Sequence, residues 1–377
     1  MSNTTFKLFA DKMGGTTVTN YIGTPGEIFY DQASGALRIS NGTTIGGLPL
    51  SSDTVSSGPI TFPDTTVQET AFQDVASHLF FVHPNPGRTF TATGTYNSPF
   101  VSVTAAIDAA VAAGHSDADS ATVILLASIT ENITLKPGIW LTSLGTGTHG
   151  SPNITGTVTI TSSTGTTVTN HHSISNLRIV APTNGHCINF TGIAPQKLFV
   201  RDMWLDANGT GDGLYMNNTG TGSTVQFDIG HLTHSGSGDV YCINVVNGGC
   251  YITDIETSIT CQVAAVQTGA VLTINESELD ASGDVVCGTY GTGALTITNS
   301  LITNTKNNAN GIQINNAGGT VTLGNNVISL TGIGGFAVQS PAGGIVYHAG
   351  TVFTGNNKRS SALGAGFIAL PTTWTSA

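Results

Sequence analysis

Four acidic residues lie close together in the segment VLTINESELDASGD, residues 271–284: Glu276, Glu278, Asp280 and Asp284. The whole chain has only 22 acidic residues among 377, so this is a local excess. Two carboxyl groups held a few ångströms apart can cleave a glycosidic bond, one as the acid and the other as base or nucleophile. Whether these residues are placed for that chemistry depends on the elements that carry them.

Units of 22 to 27 residues recur from residue 172 onward. Each unit opens on an apolar residue, here called the anchor, and most units have a second apolar residue five positions later. The anchors are Ile174, Val200, Phe227, Ile252, Ile274, Ile297, Leu323 and Tyr347. Short runs of alternating apolar and polar residues, separated by Gly, Asn and Asp, are typical of β-strands. One unit cannot bury its apolar row alone, so the repeat predicts stacked units.

The residue two positions after the anchor is an amide or an acid in six of the eight units. These residues are Asn176, Asp202, Asp254, Glu276, Asn299 and Asn325. Short amides and acids hydrogen-bond their own backbone at sharp bends and tolerate a left-handed conformation. Stacked Asn side chains also hydrogen-bond along a stack. We interpret this column as part of the scaffold.

The units resemble the rungs of the right-handed parallel β-helix, the pectate-lyase-like fold. The preceding segment SVTAAIDAAVAAG has Val103, Ile107 and Val111 at helical spacing and predicts a capping helix near residues 102–113. A Val- and Ile-rich strand follows, similar to the way such β-helices begin. The resemblance implies an all-β fold, a right-handed parallel β-helix (solenoid) over residues 99–353. It implies little about chemistry, because this fold hosts unrelated activities.

Rung alignment decides which side chains face outward. If the anchors and the residues five later point inward, the residues four and six later point outward. The column four after the anchor, here called the outer column, is Arg178, Trp204, His231, Glu256, Glu278, Leu301 and Val327. Glu256 and Glu278 would then have Cα atoms about 5 Å apart. Carboxyl groups of retaining glycosidases are separated by about 5–5.5 Å, and close like charges raise one pKa, as a general acid requires.

One hypothesis is therefore a glycan-cleaving groove centred on Glu256 and Glu278, with Asp280 and Asp206 as alternates. In this hypothesis the glycan-binding residues are Trp204, Asp206 and His231, the Trp ring stacking on a sugar.

Two other interpretations of the same column stay open: glycan or surface binding without catalysis, and a hydrated scaffold face. The fifth position in the segment TDIETS is the polar Thr257, so the alignment could slip there. A slip of one residue would reverse which side chains face outward.

Composition excludes some classes of partner. The net charge is −11 with only 11 Lys and Arg, so the chain lacks a basic surface for phosphates and we expect no nucleic acid. No apolar run reaches about 18 residues, so we expect no membrane insertion. The start MSNTTFKLFADKMGG lacks the pattern of a secretory signal.

Metal and thiol chemistry is not indicated. His171 and His172 are adjacent and would point to opposite faces of a strand, while His231 and His234 lack a third ligand at a suitable spacing. We expect no metal and no cofactor. The chain has five cysteines, Cys187, Cys242, Cys250, Cys261 and Cys287. None has a C-x-x-C spacing, which favours reduced thiols packed in the interior.

The N-terminal segment of the chain has a different sequence pattern. GEIFYDQASGALRIS predicts a strand, a turn and a second strand, and GPITFPDTTVQETAF follows later. Both segments resemble short modules at the N-termini of tail-fibre and other virion structural proteins of bacteriophages, particularly cyanophages. The predicted organisation is an attachment module at 1–50, a linker or neck at 51–98, the β-helix at 99–353 and a C-terminal cap at 354–377.

This order is similar to that of a phage tail fibre or tailspike. The resemblance implies a structural protein of the virion, an extracellular particle, synthesised in the host cytoplasm. It implies a homotrimer that contacts other tail or head proteins through residues 1–75 and adheres to host surface polysaccharide through its shaft. Two alternatives stay open: a tailspike depolymerase (glycoside hydrolase or lyase), and a head-mounted fibre or decoration protein.

Overall fold

The computed structural model describes residues 21–31, 36–49, 60–61, 67–68, 78–84, 92–145, 152–162, 170–236, 240–316, 318–340, 344–355, 358–360 and 367–369. The chain divides into two compact units, Met1–Val75 and Ala76–Ala377. No helix in the described parts of the chain is long and apolar enough to cross a membrane.

The first unit contains two small antiparallel sheets. Its strands are β1 (Ile28–Asp31), β2 (Ala36–Ile39), β3 (Leu48–Pro49), β4 (Ile60–Thr61) and β5 (Val67–Gln68). β1, β2 and β3 form one sheet, and β4 pairs with β5. The two strands predicted in GEIFYDQASGALRIS are β1 and β2, whereas residues 1–20 of the predicted module lie outside the described residues.

The second unit is a right-handed parallel β-solenoid with one short helix. Its helix is α1 (Val103–Ala112) and its strands are β6 (Leu79–Val82), β7 (Ala121–Leu125), β8 (Ile129–Thr130), β9 (Ile133–Thr134), β10 (Ile139–Ser143), β11 (Asn153–Thr155), β12 (Val158–Ser162), β13 (Asn170–Ser175), β14 (Arg178–Val180), β15 (Ile188–Gly192), β16 (Gln196–Ala207), β17 (Leu214–Asn218), β18 (Thr224–His234), β19 (Tyr241–Asn247), β20 (Gly249–Ile259), β21 (Gln262–Gln267), β22 (Val271–Asn275), β23 (Glu278–Ala281), β24 (Val285–Tyr290), β25 (Ala294–Thr298), β26 (Leu301–Asn304), β27 (Asn310–Ile314), β28 (Thr320–Gly324), β29 (Val327–Leu330), β30 (Phe336–Gln339), β31 (Ile345–Ala349), β32 (Val352–Gly355), β33 (Lys358–Ser360) and β34 (Phe367–Ala369). The predicted fold class is confirmed.

Each rung of the solenoid has three faces. The first face contains β7, β10, β13, β22, β25, β28 and β31, and the second contains β8, β11, β14, β23, β26, β29 and β32. The long strands β16, β18 and β20 run through both faces, so the two share one sheet. The third face is a separate ten-stranded sheet that runs from β9 to β33.

The anchors pair rung to rung from Ile174 to Leu323, and all of them are buried. At the last unit the alignment was wrong by one residue, because Leu323 pairs with His348 rather than Tyr347. The sequence alignment favoured the larger apolar ring, but Tyr347 keeps partial contact with solvent while His348 is buried. Burial lowers the pKa of His348, so its imidazole enters the interior uncharged.

A left-handed residue separates the first face from the second in successive rungs. The backbone φ is +50° to +57° at Asn176, Asp202, Ile229, Asp254, Glu276, Asn299 and Asn325. Six of these are the amides and acids that the sequence placed at the bend. Ile229 is the seventh, and its β-branched side chain is strained in this conformation.

α1 covers the apolar rows at the start of the solenoid. The Ser102 hydroxyl caps it by accepting from the Ala105 N–H at 3.1 Å. The Glu131 carboxylate accepts from the N–H groups of Val103 at 2.8 Å and Thr104 at 2.9 Å, which satisfies the first turn. Its buried residues are Val103, Ala106, Ile107 and Ala110. Val111 is exposed instead of continuing the buried stripe.

The interior is a single continuous core of mostly aliphatic side chains, and the aromatic residues Phe190 and Phe227 are its largest fully buried members. All five cysteines are free and buried in it. Burial raises the pKa of the Cys250 and Cys287 thiols to about 12, so both are inert at neutral pH. The segment 51–98, interpreted from sequence as a linker or neck, contains β6, which pairs with β7 in register Leu79 to Thr122.

Candidate functional site

The outer column is aligned as the sequence predicted. Glu256 pairs with His231 on one side and with Glu278 on the other. The register does not slip at Thr257, which pairs with Leu232 and is buried. Its hydroxyl is bonded to Asp280, accepting from the backbone N–H at 2.8 Å and contacting the carbonyl oxygen at 3.1 Å. The backbone of the next rung therefore satisfies the hydroxyl group that made the alignment ambiguous.

An open groove of about 770 Å³, here called the corner groove, follows the bend between the first and second faces. Its lining residues are Asp202, Met203, Trp204, Ile229, Gly230, His231, Asp254, Ile255, Glu256, Glu276, Ser277, Glu278, Asn299 and Leu301. Five of them are acids, one is a histidine and none is Lys or Arg. The groove is therefore strongly anionic and disfavours acidic ligands.

Glu256 and Glu278 extend from the same face of one sheet into this groove. The Glu256 side chain is 66% exposed, and its Oε2 lies 3.4 Å from His231 Nδ1. In glycoside hydrolysis the two carboxyl groups flank the scissile bond. Here both would meet a sugar from the same side, a geometry suited to accepting hydrogen bonds from hydroxyl or ammonium groups.

Asp280 is only partly exposed and is held by neighbouring rungs. Its Oδ1 accepts from the Thr303 hydroxyl at 2.8 Å, and its backbone is bonded to Thr257. It lies outside the lining of the corner groove.

Asp206 is the centre of a side-chain network. Its Oδ2 accepts from Arg178 Nε at 2.7 Å and from Arg178 Nη2. Its Oδ1 accepts from Trp204 Nε1 at 2.8 Å and from the Thr233 hydroxyl. The side chain is 17% exposed, so this carboxylate positions Trp204 and has little surface left for a sugar.

Trp204 packs between two cationic or ionisable neighbours. The Arg178 guanidinium lies 5.4 Å from the centroid of its ring, and the His231 ring centroid lies at 4.2 Å. These contacts fix the indole along the column. The predicted glycan-binding residues Trp204, Asp206 and His231 thus lie together, and Trp204 and His231 line the groove.

Of the other histidines considered in the sequence analysis, one lies on the outer side of its strand and two lie on the inner side. His171 is partly exposed and its Nδ1 lies 2.9 Å from Asp117 Oδ2, while His172 is buried. His234 is also buried: its Nε2 lies 2.7 Å from the Gly211 oxygen, and its Nδ1 accepts from Gly236 N–H at 2.8 Å. Burial alone would lower the pKa of His234, but its hydrogen bond with Cys261 raises it. The ring lies on the opposite side of the strand from His231.

A second feature of the surface was missed by the sequence reasoning. The residue one position before the anchor faces outward on the first face. In five successive rungs this position is occupied by Trp140, Ser173, Phe199, Gln226 and Tyr251, which pair in this order. The three rings are 48%, 41% and 47% exposed. Aromatic rings thus recur at every second rung, about 9.6 Å apart; we call Trp140, Phe199 and Tyr251 the aromatic column.

A depression of about 400 Å³ lies between the first two rings of this column. Trp140, Phe199, His171 and Ser173 contribute to its lining. The His171 ring stacks nearly parallel to Phe199, with centroids 6.4 Å apart. The signal was present in the alignment, since an apolar ring in an outward position is unexpected, but Trp140 lies in a rung that precedes the aligned repeat.

Comparison with known proteins adds little to the site. No family model matches the chain, and no curated protein matches its sequence. Among solved structures, the chain is similar to the A-module of mannuronan C-5 epimerase AlgE4 from Azotobacter vinelandii, with 13% identity, a TM-score of 0.31, and 71% of this chain and 95% of that chain covered. The A-module of AlgE6 from the same organism has 14% identity, a TM-score of 0.35, and coverage of 72% and 95%. These values assign neither a family nor a chemistry.

Proposed function

We propose that this chain is a structural protein of a bacteriophage virion, a tail-fibre or tailspike-like adhesin whose solenoid binds a host surface glycan. The virion assignment rests on the sequence resemblance of its N-terminal segments. The adhesive role rests on one structural observation, the aromatic column on the first face.

The spacing of the aromatic column favours an extended polysaccharide. Exposed aromatic faces stack on the apolar faces of sugar rings, and their polar neighbours accept and donate hydrogen bonds. A repeat of about 9.6 Å is close to the length of a disaccharide in an extended chain. Ser173 and Gln226 lie between the rings and offer hydroxyl and amide groups at the intervening rungs. A chain lying along the first face would meet one ring in every two sugars.

Charge favours a neutral or amine-bearing glycan. The rings of the aromatic column carry no charge themselves, but Lys197 and Arg201 flank Phe199 on the outward side of β16, and Asp117 lines the depression beside Trp140. The nearby corner groove is lined by five acids. An acidic polysaccharide would be repelled at the groove, whereas hydroxyl and ammonium groups would find acceptors there.

The homotrimer and the attachment to other virion proteins through residues 1–75 belong to the same proposal. Leu301 and Val327 supply apolar side chains at the outer column that a neighbouring copy would cover. Val327 is among the exposed large hydrophobic residues, which supports this interpretation. Analytical ultracentrifugation of the full chain would measure the stoichiometry directly.

The binding proposal is tested with the full chain and soluble oligosaccharides of three kinds: neutral, amine-bearing and uronate-containing. We expect binding to a neutral or amine-bearing member, and a loss of about tenfold in affinity in F199A and Y251A. V271A is the matched control, because Val271 is an exposed apolar residue of the same face outside the column. Equal affinity in all four proteins, or a preference for uronates, would refute the proposal.

A depolymerase is the second candidate, favoured by the pairing of Glu256 with Glu278 and by His231 beside Glu256. Its test is the release of reducing ends from host envelope polysaccharide by wild type, E256Q and E278Q. Release that either substitution abolishes would assign catalysis to the groove. We expect no release with binding retained. Labelling of intact particles for electron microscopy would separate a tail location from a head-mounted one.

A further inference from the structure

A cluster of three metal-ligating side chains lies at the N-terminal end of the solenoid, away from the corner groove. It consists of His78, His115 and Asp119, whose ligand atoms all lie within 4.8 Å of one another. Nε2 of His78 lies 2.9 Å from Asp119 Oδ1, and Nδ1 of His115 lies 3.1 Å from Asp119 Oδ2. The two imidazole rings are adjacent, with centroids 4.6 Å apart.

We propose that His78, His115 and Asp119 form a binding site for a divalent transition-metal ion, with Zn²⁺ as the reference ion. Two imidazole nitrogens and one carboxylate are a ligand set that suits zinc and its neighbours, whereas Mg²⁺ and Ca²⁺ prefer oxygen ligands alone. Three protein ligands leave a fourth position for water.

The three ligand atoms already lie within 4.8 Å of one another, and binding an ion requires them to converge further. Zinc–nitrogen bonds of about 2.0–2.1 Å place tetrahedral ligand atoms about 3.3 Å from one another. Both histidine–aspartate distances are near that value, although His78 contacts Oδ1 and His115 contacts Oδ2, so the carboxylate must turn to offer one oxygen to a shared ion. The Asp119 side chain is 60% exposed and the His78 side chain 33% exposed, so an ion can reach the site from solvent.

Two of the ligands are fixed by local structure. Ser116 and Asp119 form an antiparallel bridge, with hydrogen bonds of 3.0 and 3.1 Å between their backbones, which closes a tight turn directly after α1. His115 immediately precedes this turn, and its buried ring packs edge-on against Phe80 at 5.7 Å. His115 and Asp119 therefore have a defined separation before any ion binds.

The third ligand comes from a distant segment of the chain. His78 directly precedes β6, which pairs in parallel with β7. An ion bound by all three residues would tie the start of β6 to the turn after α1. It would thereby stabilise the end of the solenoid where the strand ladder begins.

The test uses the full chain after treatment with a chelator, titrated with Zn²⁺ in a calorimeter and with Co²⁺ by visible absorption. We expect one equivalent of Zn²⁺ per chain, a Co²⁺ absorption band that Zn²⁺ displaces, and a higher thermal midpoint with Zn²⁺. Asp119 is exposed and His78 is partly exposed, so both H78Q and D119N should fold. Each should lower the Zn²⁺ affinity by more than about tenfold.

H171N is the matched control, because His171 and Asp117 form a second histidine–aspartate pair that no third ligand completes among the residues that the structure describes. It should bind Zn²⁺ as wild type does. Circular dichroism would verify that every variant is folded. Absence of Zn²⁺ binding to wild type, undiminished binding in both H78Q and D119N, or loss in H171N would each overturn the proposal.

Discussion

Glu256 and Glu278 are register partners on β20 and β23, and both carboxylates extend into the corner groove. Like charges directly opposite each other on neighbouring strands destabilise a sheet. His231 lies beside Glu256 on the side away from Glu278, so only one of the two acids has a basic neighbour in the column.

Substitution E278Q should therefore stabilise the solenoid by about 0.2–1 kcal/mol at low ionic strength, and salt should reduce the gain. E256Q should gain less, because it also loses the contact with His231. Denaturant midpoints of the two variants measure the difference. A lower midpoint for E278Q than for wild type would show that the negative charge of Glu278 stabilises the folded state.

Ile229 should be replaceable by asparagine with a gain in stability. Its φ of +57° is costly for a β-branched residue, whereas neighbouring rungs have Asp or Asn at this bend. We expect I229N to raise the free energy of unfolding by about 1 kcal/mol. N299I is the reverse change and should lower it by more, because Asn299 Nδ2 also donates to Asn275 Oδ1 at 2.9 Å. If I229N lowers the thermal midpoint, packing of the Ile229 side chain stabilises the fold by more than the strain of its left-handed backbone destabilises it.

Asp206 should contribute to stability through the groups that it holds. D206N weakens hydrogen bonds to Arg178, Trp204 and Thr233 in a site with little solvent, so we expect a loss of about 1–3 kcal/mol. D228N is the control: its Oδ2 lies 3.9 Å from Arg201 at the surface and should contribute almost nothing. Chemical denaturation and the tryptophan fluorescence of the two variants are the measurements. If D206N and D228N were equally stable, Asp206 would not be needed to position Trp204.

Acidification should destabilise the solenoid through His172. Burial lowers its pKa from 6.5 to about 4. Above pH 6.5 the side chain is neutral in both states and has no effect. Between pH 6.5 and 4 the unfolded chain takes up a proton that the folded chain does not, so stability falls as the pH falls. Below about pH 4 both states are protonated and the loss is complete, on the order of 3 kcal/mol.

Substitution H172L should flatten that pH dependence, since no group remains to be protonated at this position. The measurement is the difference in denaturant midpoint between wild type and H172L from pH 7.5 to about pH 4. A parallel pH dependence in wild type and H172L would contradict burial of a neutral His172.

Affinity for the glycan should rise in steps with oligosaccharide length. The aromatic column has one ring in every two rungs, so each added disaccharide reaches another ring until all three are covered. We expect the affinity to change little when a single sugar, rather than a disaccharide, is added. Isothermal titration with a ladder of oligosaccharides measures this, with F199A as the variant that removes the middle step. A smooth rise would indicate binding elsewhere.

Much of the scaffold was predictable because the same residue types recur at the same positions of each rung. The anchors alternate with polar residues, and Asn176 or Asn299 at the bend satisfies a backbone requirement that few side chains meet. Tyr347 was misplaced because hydropathy ranks it above His348, although a neutral imidazole is readily buried.

The site was less predictable, because it depends on rotamers and on which rungs become neighbours. The outer column was aligned correctly from sequence. The Asp206 carboxylate accepts hydrogen bonds from Arg178 and Trp204. These bonds depend on side-chain rotamers, which the spacing of residues in the sequence does not specify. Trp140 and Tyr251 share a column only through four successive rung-to-rung pairings, and His78 meets Asp119 only through the pairing of β6 with β7.

The parallel ladder also makes the length of this unit adjustable. Each rung pairs with the rung before it and the rung after it, so its stability is close to a sum of local terms. Insertion or deletion of whole rungs after β26 would move the C-terminal end by about 4.8 Å for each rung and leave the aromatic column unchanged. Evolution can therefore set the reach of such a molecule independently of what it recognises.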